Sequence, residues 1–474
     1  MTFSSSIFLV VFLPVLLLLY YASPPRARNA VLLLGSVVFY GWGAPAFILV
    51  ILGTTLVDFL LVRLMYESGD GHRRKVLLVM SLSMNLGLLF YFKYVNFLIA
   101  NANAVLDRLG LPPLGALDVL LPIGISFYTF ETVTYVVDVY RGIHAPLRSF
   151  PQYLLYILLF PKLIAGPIIR YHEIADQIPD RSAADTYDNR LMGFYRFGIG
   201  LAKKVLVANQ LAAYADLVFA HDLRGLGAAT AWLGVLAYTF QIYFDFSGYS
   251  DMAIGLGRML GFRFPENFDN PYIAESVTDF WRRWHMTLGS WMRNYLYIPL
   301  GGNRVPPRRL YFNLWLVFLL SGLWHGAAWT FVVWGAWHGL FLVLDRMFLL
   351  KATAPLGRLP RIALTFVVVT LGWVLFRSGT LAAALQMLEA LLGFGTRAPL
   401  VPPAPEFWLP FAAAILFSFF AVLPRGARVQ EHVYAGAPRL PGHLALTAAT
   451  LALAVLSLSH ITASDFSPFI YFRF

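Results

Sequence analysis

The sequence predicts an all-α, polytopic membrane protein. Three observations carry that prediction. Of 474 residues, 59% are hydrophobic and only 13% charged, against roughly 25% charged in an average soluble domain. Phe occupies 40 positions and Trp another 12, more apolar surface than a water-soluble globule of this size can hide. Apolar runs of about the ~20 residues that cross hydrocarbon recur along the chain. The same composition excludes disorder, collagen and coiled coil, which need polar, glycine-periodic or heptad sequences. The formal charge of +11 has a topological reading rather than a nucleic-acid one, because Arg and Lys collect in cytoplasmic loops facing anionic lipid. Cysteine is absent. That excludes disulfides, thiolate zinc sites, S-palmitoylation and a covalent thioester on the chain.

The first element is the run Ile7 to Tyr21. No Lys or Arg precedes it and no small-residue cleavage site follows, so it reads as an uncleaved first span. Arg26 and Arg28 follow, which places the N-terminus outside and this loop in the cytoplasm. Further apolar runs lie near 30–42, 44–62, 76–100, 119–137, 150–168, 190–220, 228–245, 311–323, 327–349, 361–376, 407–424 and 443–460. Several fall short and are broken by Gly or Pro, at Gly41-Trp-Gly-Ala-Pro45, Pro122-Ile-Gly124, Pro161 and Gly166-Pro167. Such breaks at membrane depth must be buried in protein or line a cavity, since lipid offers free backbone groups no partner. The expectation is about 10–12 spans plus re-entrant pieces. Basic loops at Arg63/Arg73/Arg74/Lys75, at Lys351/Arg358/Arg361, and densest at Arg282, Arg283, Arg293, Arg304, Arg308 and Arg309, belong on the cytoplasmic side. The stretch 395–406, with Pro402, Pro403 and Pro405, reads as a loop. There is no internal repeat and no separate soluble domain, so an inverted-repeat transporter gains no support.

The region 238–345 carries polar groups at unusual density for so apolar a stretch: Asp245 and Asp251, then Pro265-Glu-Asn-Phe-Asp-Asn-Pro271, then Asp279 to His285. Ionisable groups in membrane segments are costly and mark candidate sites, although structural ion pairs place Asp and Arg there too. Three Trp-His pairs stand out: Trp284-His285, Trp324-His325 and Trp337-His338. His325 lies in a run, Leu316 to Val333, with no charged side chain. A ring stripped of water there stays neutral and can accept a proton as a general base. Gly322 and Gly326 flank it, allowing close approach by another backbone or a slim substrate. The competing reading is a core histidine bonded to a carbonyl.

His285 lies beside Arg282 and Arg283, at an expected membrane–cytoplasm boundary. Those arginines suit a phosphate-rich ligand, or they anchor a helix end to lipid headgroups. His338, 13 residues after His325, would on one shared helix lie about 140° away in azimuth and about 20 Å in height, so it reads as structural. No spacing fits a metal site, and phosphate-loop, dinucleotide and nucleophile-elbow motifs are missing. The other histidines, at positions 72, 144, 172, 221, 432, 443 and 460, receive no role.

On these residues the chain resembles the membrane-bound O-acyltransferases, and among them the alginate O-acetyltransferase branch of bacteria. The resemblance rests on the start, Met1-Thr-Phe-Ser-Ser with Phe12-Leu-Pro14; on Leu121-Pro-Ile-Gly-Ile-Ser-Phe-Tyr128, Asp138-Val-Tyr-Arg-Gly142 and Leu163-Ile-Ala-Gly-Pro167; and most specifically on Tyr243 to Gly257, Phe280-Trp-Arg-Arg-Trp-His285 and Gly322-Leu-Trp-His-Gly326. It implies one membrane-embedded acyltransferase domain over 1–474, core motifs in 119–345, with helices around a central tunnel. It places the essential histidine at His325 and a second polar position at His285. Donor reaches the tunnel from the cytoplasm and acceptor from the other side.

The expected chemistry is acetyl transfer from a thioester, acetyl-CoA, which is a substrate and not a bound cofactor. The basic mouth at Arg282 and Arg283, with Trp284 and Trp324 excluding water, would hold the donor. His325 would take the proton from an acceptor hydroxyl and His285 would orient the donor or assist the thiolate. The resemblance implies a bacterial inner-membrane, multi-pass location. It also implies an extracytoplasmic acceptor: a polysaccharide such as alginate, or a periplasmic partner resembling SGNH hydrolases. The rival readings are D-alanyl transfer from a carrier protein to teichoic acid, a polytopic transporter, and a structural subunit of an export complex.

Overall fold

A computed structural model describes residues 1–221, 223–394, 401–436 and 438–463. Among them there are helices and no strand; Phe268 and Trp284 form an isolated antiparallel bridge. The protein is a multi-pass, all-helical membrane protein. Among the described residues, five helical segments are long and apolar enough to cross a bilayer: Pro45–Glu67, Gly71–Arg108, Arg358–Arg377, Pro405–Val422 and Leu440–Ala463. Gly71–Arg108 and Leu440–Ala463 are mostly unburied, and Leu86, Leu98, Leu444, Leu451 and Leu456 on them face outward, as side chains facing lipid do.

The other expected runs fold as helices that are shorter, broken or laden with polar groups. Run 150–168 splits into Phe150–Leu158 and Phe160–Leu163 at Leu159, ψ 102°, because Pro161 lacks the N–H of a continuing helix and its ring would clash with the carbonyl one turn earlier. Run 190–220 forms Tyr187–Ala202 and Asn209–Ala220 joined by a π-helical stretch at Lys203–Ala208. Of the expected loop, 401–404 is irregular and Pro405–Phe407 is a 3₁₀ turn; residues 395–400 lie outside the described residues. The helix Pro424–Ala435 goes beyond what hydropathy suggests, since its sequence is polar.

The described residues form two compact units. The first comprises 1–189 and 257–264. Its core holds buried polar pairs among apolar helices: Lys162 with Glu131, and Asp58 accepting from Asn85 at 2.7 Å. Each buried charge is matched, as an apolar interior requires. The second comprises 190–256 and 265–474. Gly200 and Gly248 bring the helices Tyr187–Ala202 and Ala228–Met259 into backbone contact, where a Cβ on Gly200 would meet the Gly248 carbonyl oxygen at 2.5 Å. Close approach lets Lys204 reach Asp245 at 2.7 Å, and lets Arg196 and Lys203 reach Asp251, both at 2.7 Å. For Asp245 and Asp251 the structural reading therefore holds.

The second unit also contains the hairpin that carries the Leu-Trp-His-Gly element. Helix Pro307–His325 ends at Gly326, and helix Trp329–Leu344 returns alongside it. A Cβ at Gly322 would lie 2.3 Å from the Phe331 carbonyl oxygen, and one at Gly335 would lie 2.4 Å from that of Phe318. The close approach anticipated at Gly322 is thus by backbone.

Candidate active site

Three segments of the second unit build the site: the stretch 265–270, the two short helices Val277–Arg283 and Met286–Met292, and the hairpin. His285 sits between the short helices in the left-handed region, φ 47°. Side chains other than glycine adopt that region at a cost of about 1–3 kcal/mol, and it persists only where the surroundings enforce it. Here Asn267 enforces it. The Met286 N–H donates to the Asn267 backbone oxygen at 3.0 Å, the Asp269 N–H donates to Arg283 at 2.9 Å, and Phe268 pairs with Trp284.

The Asn267 side chain is fully buried and fixes the imidazole. Its Oδ1 accepts from the Thr287 N–H at 3.4 Å and hydroxyl at 2.9 Å, while its Nδ2 donates to Ser250 at 3.0 Å. A backbone N–H can only donate, so the atom facing Thr287 must be the amide oxygen. The same oxygen lies 3.0 Å from Nδ1 of His285, so Nδ1 carries the proton. In a neutral ring Nε2 is then a bare acceptor, and it has no hydrogen-bond partner among the described residues. Asn267→Leu releases the imidazole and is expected to lower kcat about 10- to 100-fold, by comparison with the loss of a partner that orients a metal-bound histidine. Asn267→Asp, which can still accept from Nδ1, should retain more activity in the same turnover assay.

His325 is the last residue of its helix and 5% exposed. Trp334 and Phe376 meet its ring at 5.1 and 5.4 Å, in T-shaped contacts. Trp324 packs on both histidines, 4.9 Å from His325 and 6.4 Å from His285. Histidines 40 positions apart in sequence thus converge on one indole.

Two cavities lie along the hairpin, and His325 is among the lining residues of neither. The first, about 380 Å³, is lined by His285, Trp281, Arg282, Arg293, Val317 and Ser321 among others. Ser321 lies one helical turn before His325. The second, about 410 Å³, is lined by Gly326, Phe331, Phe376 and Arg377 among others, and begins at the residue after His325. The helices Pro307–His325 and Arg358–Arg377 both start beside arginines and end at this second cavity.

The other sequence candidates separate. Arg282 is exposed and lines the first cavity. Arg283 does not line it: its Nε donates to Asp279 at 3.0 Å and its Nη1 lies 3.5 Å from Asp269. Trp284 is buried among Phe280, Phe268 and Trp373. His338 lies on the return helix, because the chain breaks at 326–328 and one helix does not carry both histidines. It is fully buried against Trp281 and Trp334, at 5.0 and 5.2 Å. Among the described residues, no group of three or more His, Asp or Glu is placed to hold a metal.

Sequence reading missed Asn267, Thr287, Trp334 and Arg377. Asn267 stood inside the polar run 265–271 that drew attention, but only the fold shows which of its two asparagines faces His285.

Fold and site define a class: a multi-pass helical membrane protein with two buried histidines packed on one indole. The chain belongs to the membrane-bound O-acyltransferase family, whose family model matches residues 143–381, and it is an O-acyltransferase. It is 46% identical to the probable alginate O-acetylase AlgI of Pseudomonas aeruginosa, over 84% of this chain and 76% of that protein. It is 42% identical to the protein of the same name from Pseudomonas putida, over the whole of both. The peptidoglycan O-acetyltransferase of Helicobacter pylori is 35% identical over 82% of this chain and 80% of its own length.

Proposed function

We propose that this chain, in the bacterial inner membrane, takes an acetyl group from cytoplasmic acetyl-CoA and delivers it for O-acetylation of an extracytoplasmic polysaccharide of the alginate type. The observation that carries this reading is the packing of His285 and His325 on one buried indole, Trp324, with one cavity lined by His285 and another beginning at Gly326. Arg282 and Arg293 line one of them. The other lies at the helix ends remote from Arg308, Arg309, Arg358 and Arg361. By the excess of basic residues on cytoplasmic loops, the first cavity faces the cytoplasm and the second faces outward. The names of the relatives supply the acetyl group and the polysaccharide.

The thioester lies with its phosphates toward Arg282 and its carbonyl near His325. The acceptor hydroxyl gives its proton to the His325 imidazole as its oxygen attacks the thioester carbonyl. The C–S bond breaks, and the departing thiolate takes the proton from the imidazolium, restoring the neutral ring. His285 binds through Nε2, which accepts a hydrogen bond from an amide N–H of the donor arm. Trp324, packed on both rings, excludes the water that would hydrolyse the thioester. The hydroxyl belongs to the polymer or to a periplasmic, hydrolase-like partner.

The test reconstitutes the full chain in liposomes with radioactive acetyl-CoA inside and polysaccharide outside. Label appearing on the external polymer supports the reading; label that never leaves the thioester overturns it. In the same assay Arg282→Ala should raise the KM for acetyl-CoA about 3- to 10-fold with little change in kcat, as for a partly exposed charge-assisted contact. Arg283→Ala should instead lower the melting temperature and leave that KM unchanged.

A further inference from the structure

The second unit holds a third cavity, about 720 Å³, larger than the two already described. Its walls are mostly apolar, with Leu206, Leu409, Phe417 and Leu453 coming from three helical segments. The one Lys or Arg among its described lining residues, Lys203, is neutralised by Asp251 at 2.7 Å. The helix Trp408–Phe419 lines the cavity from Leu409 onward, and Phe420 lines it just past the helix end. From Leu409 to Phe420 a helix rises about 16 Å, close to half the ~30 Å thickness of bilayer hydrocarbon. The cavity thus runs about the depth of one leaflet.

Its two ends differ in charge. Exposed Glu406 stands before the start of that helix. After its end comes the polar helix Pro424–Ala435, whose Val429, Gln430, Val433 and Tyr434 line the cavity. Around its axis Arg425, Arg428 and His432 fall within about 60° of one another, and Val429 and Val433 begin the next face. This is the pattern of a helix lying in a membrane interface, apolar face inward and basic face toward headgroups. Arg425 and Arg428 are exposed, and neither pairs with a carboxylate among the described residues. Arg358 and Arg361, by contrast, are taken up by Glu275. Arg358 also donates to the Val422 carbonyl oxygen at 3.1 Å, which fixes the start of the basic helix at an arginine-rich end of the unit.

We propose that this cavity binds one anionic phospholipid: an acyl chain lies along Trp408–Phe419, the phosphate meets Arg425 and Arg428, and the lipid steadies the stretch that holds His285. An apolar slot of one-leaflet depth fits an acyl chain, and an arginine pair beside its mouth fits a phosphate. Glu406 at the far end repels an anionic head and so sets the direction of the lipid. The connection to His285 is short. Gln430 accepts from Nδ2 of Asn270 at 2.9 Å, and Asn270 closes the stretch 265–270 in a left-handed conformation, φ 45°. Tyr243, another lining residue, packs on Phe268 and Trp284 at 5.9 and 6.1 Å. The far end of the basic helix is tied down, since Tyr434 donates to Asp251 at 3.3 Å and carries the Arg196 guanidinium over its ring at 4.1 Å. A lipid held by Arg425 and Arg428 fixes the first half, and with it the Gln430–Asn270 bond. The lipid site stands on this geometry alone; its effect on turnover rests on the acetyl-transfer reading above.

The experiment reconstitutes the full chain in vesicles of phosphatidylcholine alone, or of phosphatidylcholine and phosphatidylglycerol in equal parts. Native mass spectra of the solubilised chain count the phosphatidylglycerol it retains. Wild type should retain one such lipid and consume acetyl-CoA about 3- to 10-fold faster in the mixed vesicles. The double variant Arg425→Gln/Arg428→Gln should need about 10- to 30-fold more phosphatidylglycerol for half retention, since each arginine near an anionic headgroup is worth about fivefold. Ala413, also a lining residue, provides a second arm: Ala413→Trp fills the slot, leaves the arginines in place and should abolish retention. Both variants should keep the wild-type rate in pure phosphatidylcholine. Gln430→Leu should retain the lipid and lose the stimulation. Equal retention by wild type and both slot variants overturns the site. So does a wild-type dimer that Ala413→Trp converts to monomer, because a second copy then fills the slot. Full stimulation of Gln430→Leu overturns the link to His285. A wild-type chain that consumes no acetyl-CoA in either vesicle overturns the acetyl-transfer reading and leaves the retention test standing.

Discussion

His325→Ala should abolish acetyl transfer while leaving the protein folded and inserted. General-base assistance is worth about 10²–10⁴ in rate. The ring packs through aromatic edges, against Trp324, Trp334 and Phe376. Its removal leaves a small hole in an otherwise intact hairpin, because the helix crossing depends on Gly322 and Gly335. Thioester consumption by the purified variant should fall to background while its elution in detergent stays monodisperse and wild-type-like. Near wild-type turnover would show that another group takes the proton.

Gly322→Leu is expected to have the second large effect, on folding rather than chemistry. The new Cβ would sit 2.3 Å from the Phe331 carbonyl oxygen and 3.0 Å from the Gly335 Cα. Both obstacles are backbone, so the two helices must part along their whole seam. Overpacking of this kind costs about 1–3 kcal/mol at an ordinary core site. Here the loss should be larger, because separation also pulls Trp334 away from His325 and opens the apolar hairpin. Detergent-solubilised protein should melt many degrees lower or fail to accumulate in the membrane. Gly322→Leu with an unchanged melting profile would show that the hairpin is looser than its geometry implies. The contrast with His325→Ala separates a residue kept for its proton from one kept for its lack of a side chain.

Much of the candidate site could be proposed from sequence because its signals are local. A Trp-His pair inside an uncharged run, with glycine on both sides, marks His325 without any knowledge of neighbours. The same holds for the basic cluster beside His285. What could not be read is which nearby side chain serves which. Arg282 and Arg283 are adjacent and chemically alike, yet one lines a cavity and the other is taken up by Asp279 and Asp269. Trp284 and Trp324 each precede a histidine, yet Trp284 packs into an aromatic cluster and Trp324 touches both rings. Successive residues on a helix point about 100° apart, so a difference of one position changes the environment completely.

Span number is a further case. Hydropathy alone marks about a dozen apolar runs, but five helical segments of the described residues meet both length and composition for crossing. Runs such as Ala228–Met259 are long yet carry Asp245 and Asp251, which ion pairs with Lys204, Arg196 and Lys203 help to make tolerable. Those partners are 41 to 55 positions away in sequence, beyond any local pattern.

By itself, then, the chain determined its solvent, its helical class and the residue types of its chemistry. These follow from composition and periodicity, which are sums over near neighbours. Only the tertiary structure decided that Asn267 holds the His285 proton on Nδ1, that His285 and His325 meet at Trp324, and that Arg377 ends up facing a cavity beside Gly326. Each of these depends on a distance between segments far apart in sequence, and such distances are set by how close the helix backbones pack.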